Sequence, residues 1–284
     1  MSDFVALLGT KGGPMIRPGS TMPTSSLLSL AGQVVVVDCG LGVARGIVDQ
    51  GISLKDLSLI FITHLHSDHY LELGPLLHTA WTAGLKTPVQ VWGPPGLAAC
   101  WEGFLASMAF DIATRIEDEG RPDLRGLVTL HEVTVGTPMA FGALTVQAIR
   151  TLHPPLVESY AFRFQGGGKA VVFSGDTARL PALETFAAGA DLLIHEAMLE
   201  PALKGLMVRI GNGDDRLMKH WLRAHTLAED AAKTAAAAGV RALALHHLIP
   251  SDDPSVTAQD WQANTAPHFG GAIHIGHDGL RIAL

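Results

Sequence analysis

Short apolar runs rich in β-branched residues recur along this chain, and most are too brief to be helices. They fall at residues 4–8 (FVALL), 26–38 (SLLSLAGQVVVVD), 57–63 (LSLIFIT), 88–92, 143–149, 160–164, 169–176, 191–196 and 241–247. Runs of this length and composition predict strands. Segments of helical character separate some of them, at 43–50, 71–83, 96–110, 183–188 and 227–238. Strands joined by tight turns come first and strand–helix alternation follows. That order predicts an α/β protein with mixed antiparallel and parallel sheets flanked by helices. The 284 residues are 48% hydrophobic and 17% charged, enough apolar material to cover such sheets. No Pro/Gly/Ser linker divides the chain cleanly, and its length is open to one domain or two.

Several local features have plain structural readings. The Ala tract at 231–238 is a helix by propensity, with Thr226 as its expected N-cap. QGGGK at 165–169 lies between two strands and predicts a hairpin turn. GTKGGP at 9–14 has no helix after it, which argues against a phosphate loop; its glycines predict a close approach of backbone to another element. Cys39 and Cys100 are the only cysteines and lie far apart, so no disulfide framework is expected. The N-terminus has no basic region or long apolar run, and no stretch reaches the ~18 apolar residues of a membrane span. A cytoplasmic protein with no membrane partner is expected. The 20 Lys and Arg against 27 Asp and Glu give a net charge of −7, which repels a polyanion and counts against broad nucleic-acid binding.

The chemistry is concentrated after the 57–63 strand, where His64, His66, Asp68 and His69 fall within six residues and lead into an apolar helix. In an extended exit His64 and His66 point the same way, and the turn into the helix lets Asp68 and His69 face a second point nearby. One loop can thus supply halves of two adjacent metal sites. Clustering these side chains without a metal would be costly. Further candidate ligands sit at strand ends: His153, Asp176 in SGDT, and His247, with adjacent His246 leaving the last choice open. This donor set suits two Zn²⁺, with Mn²⁺ or Fe²⁺ as substitutes.

These motifs, together with Val37-Asp38-Cys39-Gly40 at a strand end, resemble the metallo-β-lactamase superfamily in content and order. The resemblance implies a four-layer αββα sandwich of two similar halves in one domain, residues 1–284, with helical insertions at 103–131 and 198–220. It implies that His64, His66 and His153 bind one metal, Asp68, His69 and His247 the other, and that Asp176 bridges. Asp38 would support the loop from behind. Residues 194–197 (IHEA) and 224–226 (AHT) resemble the ribonuclease Z and arylsulfatase/phosphodiesterase-like branch, where Glu196 and His225 would form a dyad. A carboxylate raises the pKa of its imidazole partner, so His225 can protonate a departing alkoxide. Asp68, Glu196 and His225 are therefore the candidate catalytic side chains.

The expected activity is hydrolysis of a small anionic ester, a phosphodiester or aryl sulfate, by a hydroxide held between two metals. A lactonase or β-lactam hydrolase is the alternative, ranked lower because it has no evident need for the Glu196–His225 pair. A tRNA 3′-processing endonuclease ranks lower still. The basic arm of that enzyme family would lie between His153 and Asp176, where only 22 residues intervene. A metal-binding structural or sensory protein is the non-enzyme alternative. The branch also implies a homodimer.

Overall fold

The computed structural model describes residues 2–211 and 214–284. The chain opens with three antiparallel strands, β1 (Phe4–Gly9), β2 (Ser25–Leu30) and β3 (Gln33–Cys39). It then alternates through α1 (Val43–Asp49), β4 (Leu59–Phe61), α2 (Ser67–Tyr70), α3 (Leu73–Thr82) and β5 (Val89–Gly93). Three helices, α4 (Leu97–Ser107), α5 (Ala109–Glu119) and α6 (Leu124–Leu127), precede β6 (Val128–Glu132).

Four antiparallel strands come next: β7 (Met139–Phe141), β8 (Leu144–Arg150), β9 (Tyr160–Gly166) and β10 (Lys169–Phe173). After α7 (Pro181–Phe186) and β11 (Leu192–Met198) the chain forms α8 (Glu200–Ile210), α9 (Arg216–Ala224) and α10 (Ala228–Ala238). It ends with β12 (Ala242–Ile249), α11 (Ala258–Thr265), β13 (Ala272–Ile275) and β14 (Leu280–Ala283).

Two seven-stranded sheets result, ordered β14-β1-β2-β3-β4-β5-β6 and β13-β12-β11-β10-β9-β8-β7. In each, antiparallel pairing gives way to parallel pairing, at β3–β4 and at β10–β11. The sheets pack face to face through Leu28, Val35 and Phe61 from one and Val146, Phe162 and Phe164 from the other. The Phe61 ring stands edge-on to Phe162 and Phe164, with centroids 5.1 and 5.3 Å away. Leu76, Trp81 and Leu105 cover the outer face of the first sheet, and Ala231, Ala235 and Trp261 that of the second. Strands covered on both faces must be apolar throughout, which is why β3 reads as a continuous valine run. This is the expected αββα sandwich with mixed sheets.

The 26–38 run divides into β2 and β3 at Ala31 and Gly32, whose φ angles of 51° and 79° form a tight hairpin turn. QGGGK is likewise the β9–β10 turn, with Gly167 and Gly168 at positive φ. Thr226 is not the cap of α10. Its hydroxyl donates to the Thr177 carbonyl, and Leu227 occupies the N-cap position without a side-chain bond. That bond ties the start of α10 to the loop after β10 instead. Both cysteines are free. Among the described residues no helix is long and apolar enough to cross a membrane.

Candidate metal centre and active site

Parallel strands present their C-terminal ends along one edge of the sandwich, and the candidate residues collect there. Asp38 ends β3, His64 and His66 follow β4, and Asp68 and His69 lie in α2. His153 follows β8, Asp176 follows β10, Glu196 lies in β11 and His247 in β12. His225 is the C-cap of α9.

The structure brings these side chains into two adjoining groups. His66 Nδ1 is 3.1 Å from His64 Nε2 and 3.0 Å from His153 Nε2. Asp68 Oδ2 is 3.6 Å from His69 Nε2 and 3.3 Å from His247 Nε2. One atom is common to both groups. Asp176 Oδ2 lies 3.7 and 3.8 Å from His64 and His153, and 3.4 and 3.2 Å from His69 and His247. Ligand atoms at bonds of about 2.1 Å in a tetrahedron stand roughly 3.4 Å apart, so the spacing suits a dinuclear metal site. His69 Nε2 and Asp176 Oδ1 are buried without a hydrogen-bond partner, a further sign that the cluster fits metal ions.

Supporting contacts fix which ring nitrogen faces inward. His69 Nδ1 donates to Asp38 Oδ2 at 2.8 Å, leaving Nε2 free for a metal. Asp38 also accepts from the Thr63 backbone and hydroxyl, at 2.7 and 2.9 Å, and holds φ at 63°. His153 Nδ1 donates to the Ala224 carbonyl at 2.9 Å. Asp38→Asn should therefore weaken metal binding by about 10–100-fold, since one amide cannot replace all these acceptor contacts. Competition with a chromogenic chelator checks this, and unchanged affinity would remove Asp38 from the metal-supporting role.

Two backbone features aim the remaining groups. Gly175 holds φ at 57° where a Cβ would lie 2.4 Å from the Tyr160 carbonyl, so the SGDT turn that carries Asp176 requires glycine. His247 occupies an irregularity in the β11–β12 register with φ at 45°, strained for a residue with a Cβ. The irregularity turns His247 toward Asp68 and Asp176. His246 instead bonds the Gly9 carbonyl at 2.8 Å, and burial lowers its pKa to about 3. His247, not His246, faces the cluster.

Glu196 and His225 meet as the motifs implied. His225 Nδ1 is 3.1 and 3.0 Å from the two Glu196 oxygens and 3.9 Å from Asp176 Oδ2. Burial works against charge on the ring, but the Glu196 and Asp176 carboxylates outweigh it and raise the His225 pKa to about 9.

A cavity of about 350 Å³ opens onto this cluster. One wall is the 9–14 segment; the other is α8 and α9, which present Leu206, Ile210, Leu217 and Trp221. The two helices are held by a small apolar core of Met198, Leu203, Leu206, Trp221 and Ile249. His220 on α9 also lines the cavity, with its ring centroid 5.6 Å from His225 and 5.8 Å from His153. Burial lowers its pKa to about 4. Sequence reasoning missed His220. The signal was its place beside Leu217, Trp221 and Ala224, at helical spacing on the inward face of α9.

Fold and site together define a metal-dependent hydrolase of the metallo-β-lactamase fold. A model of the family described as "Anti-Pycsar protein Apyc1" matches residues 7–243. Ribonuclease Z of Mycobacterium marinum (strain ATCC BAA-535 / M) is 34% identical over 283 residues, 99% of this chain and 98% of its own length. Among solved structures, the metallo-beta-lactamase fold protein YhfI from Bacillus subtilis aligns with a TM-score of 0.73 at 20% identity, over 99% of both chains. Human tRNase Z, short form, aligns with a TM-score of 0.66 at 21% identity, over 99% of this chain and 98% of its own. The chain belongs to the Anti-Pycsar protein Apyc1 family, within the ribonuclease Z-like branch of the metallo-β-lactamase superfamily.

Proposed function

We propose that the protein is a dinuclear zinc phosphodiesterase acting on a small anionic ester. The observation that carries this reading is the Glu196–His225 pair, whose His225 lines the cavity and lies 3.9 Å from the Asp176 oxygen shared by both ligand groups. His64, His66, His153 and Asp176 would hold one ion, and Asp68, His69, His247 and the same Asp176 oxygen the other. Their imidazole and carboxylate donors suit Zn²⁺, with Mn²⁺ and Fe²⁺ as substitutes. When bound, two such ions supply Lewis acidity, which acidifies water and offsets the negative charge of the ester.

The chain's own residues do the rest. Glu196 accepts from His225 Nδ1 and from the Thr177 backbone N–H, so the ring is fixed with Nε2 left to serve the substrate. Protonated His225 then donates to the departing oxygen, which matters most for a poor leaving group. Leu206, Leu217 and Trp221 keep the cavity apolar opposite the polar cluster, a division suited to binding a small ester.

RNA processing is a second reading, favoured by the name ribonuclease Z among the relatives. The 350 Å³ cavity, the net charge of −7, and a β9–β10 hairpin in place of a basic arm favour the smaller substrate. A panel of bis-p-nitrophenyl phosphate, p-nitrophenyl sulfate, lactones, a β-lactam and a precursor tRNA separates the readings. Zinc-loaded protein should turn over the phosphodiester fastest. Turnover of the lactones alone would overturn the proposal, and faster cleavage of the precursor tRNA would move the assignment to the second reading.

A further inference from the structure

One face of α9 carries both the candidate acid and an apolar wall. Leu217 and Trp221 precede His225 at four-residue intervals, and the His225 backbone N–H still closes a helical bond to the Trp221 carbonyl at 3.0 Å. At 1.5 Å per residue, Trp221 and Leu217 stand about 6 and 12 Å back along the axis from His225. All three line the cavity. Leu206 and Ile210 of α8 extend this wall, and Pro14 and Met15 line the cavity from the segment after β1. Leu217 and Ile210 are half-buried and Met15 is 50% exposed, so the slot offers apolar surface that the chain itself does not cover. Such surface, running out from a polar cluster inside one cavity, suits an apolar group of a ligand.

The two permanent cations of the lining are engaged within the protein. Arg17 Nε lies 2.6 Å from Asp252, and Lys11, only 4% exposed, donates from Nζ to the Gly12 carbonyl at 3.0 Å. His220, the polar residue of the α9 wall, stays with the cluster, its ring centroid 5.6 Å from His225 and 5.8 Å from His153. Beyond it the wall is carbon. The order along α9 also fixes a side. His225 must stand at the departing oxygen to protonate it, so whatever that oxygen carries lies against Trp221 and Leu217.

We infer that this slot is an apolar leaving-group subsite, and that the substrate is a phosphodiester of an apolar alcohol. Hydrolysis breaks the bond between phosphorus and the alcohol oxygen. Water supplies the new bond to phosphorus and His225 gives its proton to the departing alkoxide. One proton of the water then restores the ring, and the other stays with the phosphate monoester. The inference rests on the phosphodiester reading for the identity of the scissile group. Its first test is equilibrium binding, so the two can fail separately.

Zinc-loaded protein is titrated calorimetrically with n-alkylphosphonates of one to eight carbons. Affinity should rise about threefold per methylene until the slot is full, the usual gain from burying a methylene. Leu217→Asn should flatten that rise. Met15→Ser, at a half-exposed position on the facing wall, provides the same comparison should the Leu217 variant not fold. A flat series with the native protein would overturn the subsite, and so would a rise that survives the substitution. Methyl hexyl phosphate then reports the side. Hexanol should be released and methyl phosphate left behind. Release of methanol instead would put the apolar group on the retained side and overturn the leaving-group assignment. A rise in binding with no hydrolysis of any diester would fail the phosphodiesterase reading, and the assignment of side with it, while the apolar subsite stands. Hydrolysis of diesters with a flat binding series would do the reverse.

Discussion

Asp176→Ala should lower bound metal below two equivalents and reduce phosphodiester turnover by roughly 10³-fold or more, since metal clamping is worth several kcal/mol in the transition state. The prediction follows from geometry. Asp176 Oδ2 is a carboxylate oxygen within 3.8 Å of imidazoles in both ligand groups, so its removal should affect both ions together. The carboxylate is also 2% exposed, and its own backbone carbonyl accepts from Thr151 in the strand end that carries His153. Loss of the side chain leaves that backbone bond in place, so the fold should survive. Elemental analysis of the purified variant reads the result directly. Two full equivalents would remove Asp176 from the shared position, whatever the activity.

His225→Ala should divide substrates by leaving group. Diesters that expel an alkoxide should slow by about 10²–10⁴-fold, the usual worth of general acid catalysis. Diesters that expel p-nitrophenoxide need no proton and should keep most of their rate. Glu196→Gln should show the same division more weakly, because the ring keeps a partner but loses the charge that favours its protonated form. Comparing kcat/KM for an alkyl and a p-nitrophenyl diester settles the role. Equal loss on both would make the pair a structural support for the neighbouring ligands.

What the sequence reveals of this site depends on how local each signal is. His64, His66, Asp68 and His69 are legible because strand exit and helix entry fix their directions within six residues. The choice between His246 and His247 is not, since it turns on a register irregularity that exists only once β11 and β12 are paired. The strands that the apolar runs did not reveal are β6, β7, β13 and β14, and all four are sheet edges. An edge strand buries less and keeps polar residues, so its pattern fades into that of a loop. His220 escaped for a related reason. It joins the site from a wall of the cavity, by packing distant in sequence. Thr226 shows the opposite error, in which a residue with a good local role as a cap is used in a tertiary contact instead.

The central claim is that two metal ions held by one imidazole–carboxylate cluster make this chain a phosphodiesterase. The direct measurement strips the protein with chelator and follows bis-p-nitrophenyl phosphate hydrolysis as zinc is returned. Activity should be absent at the start, rise with added zinc and level off at two equivalents per chain, with Asp176→Ala failing to follow. Full activity in the stripped protein, or two bound equivalents with no hydrolysis of any phosphodiester, would contradict the account.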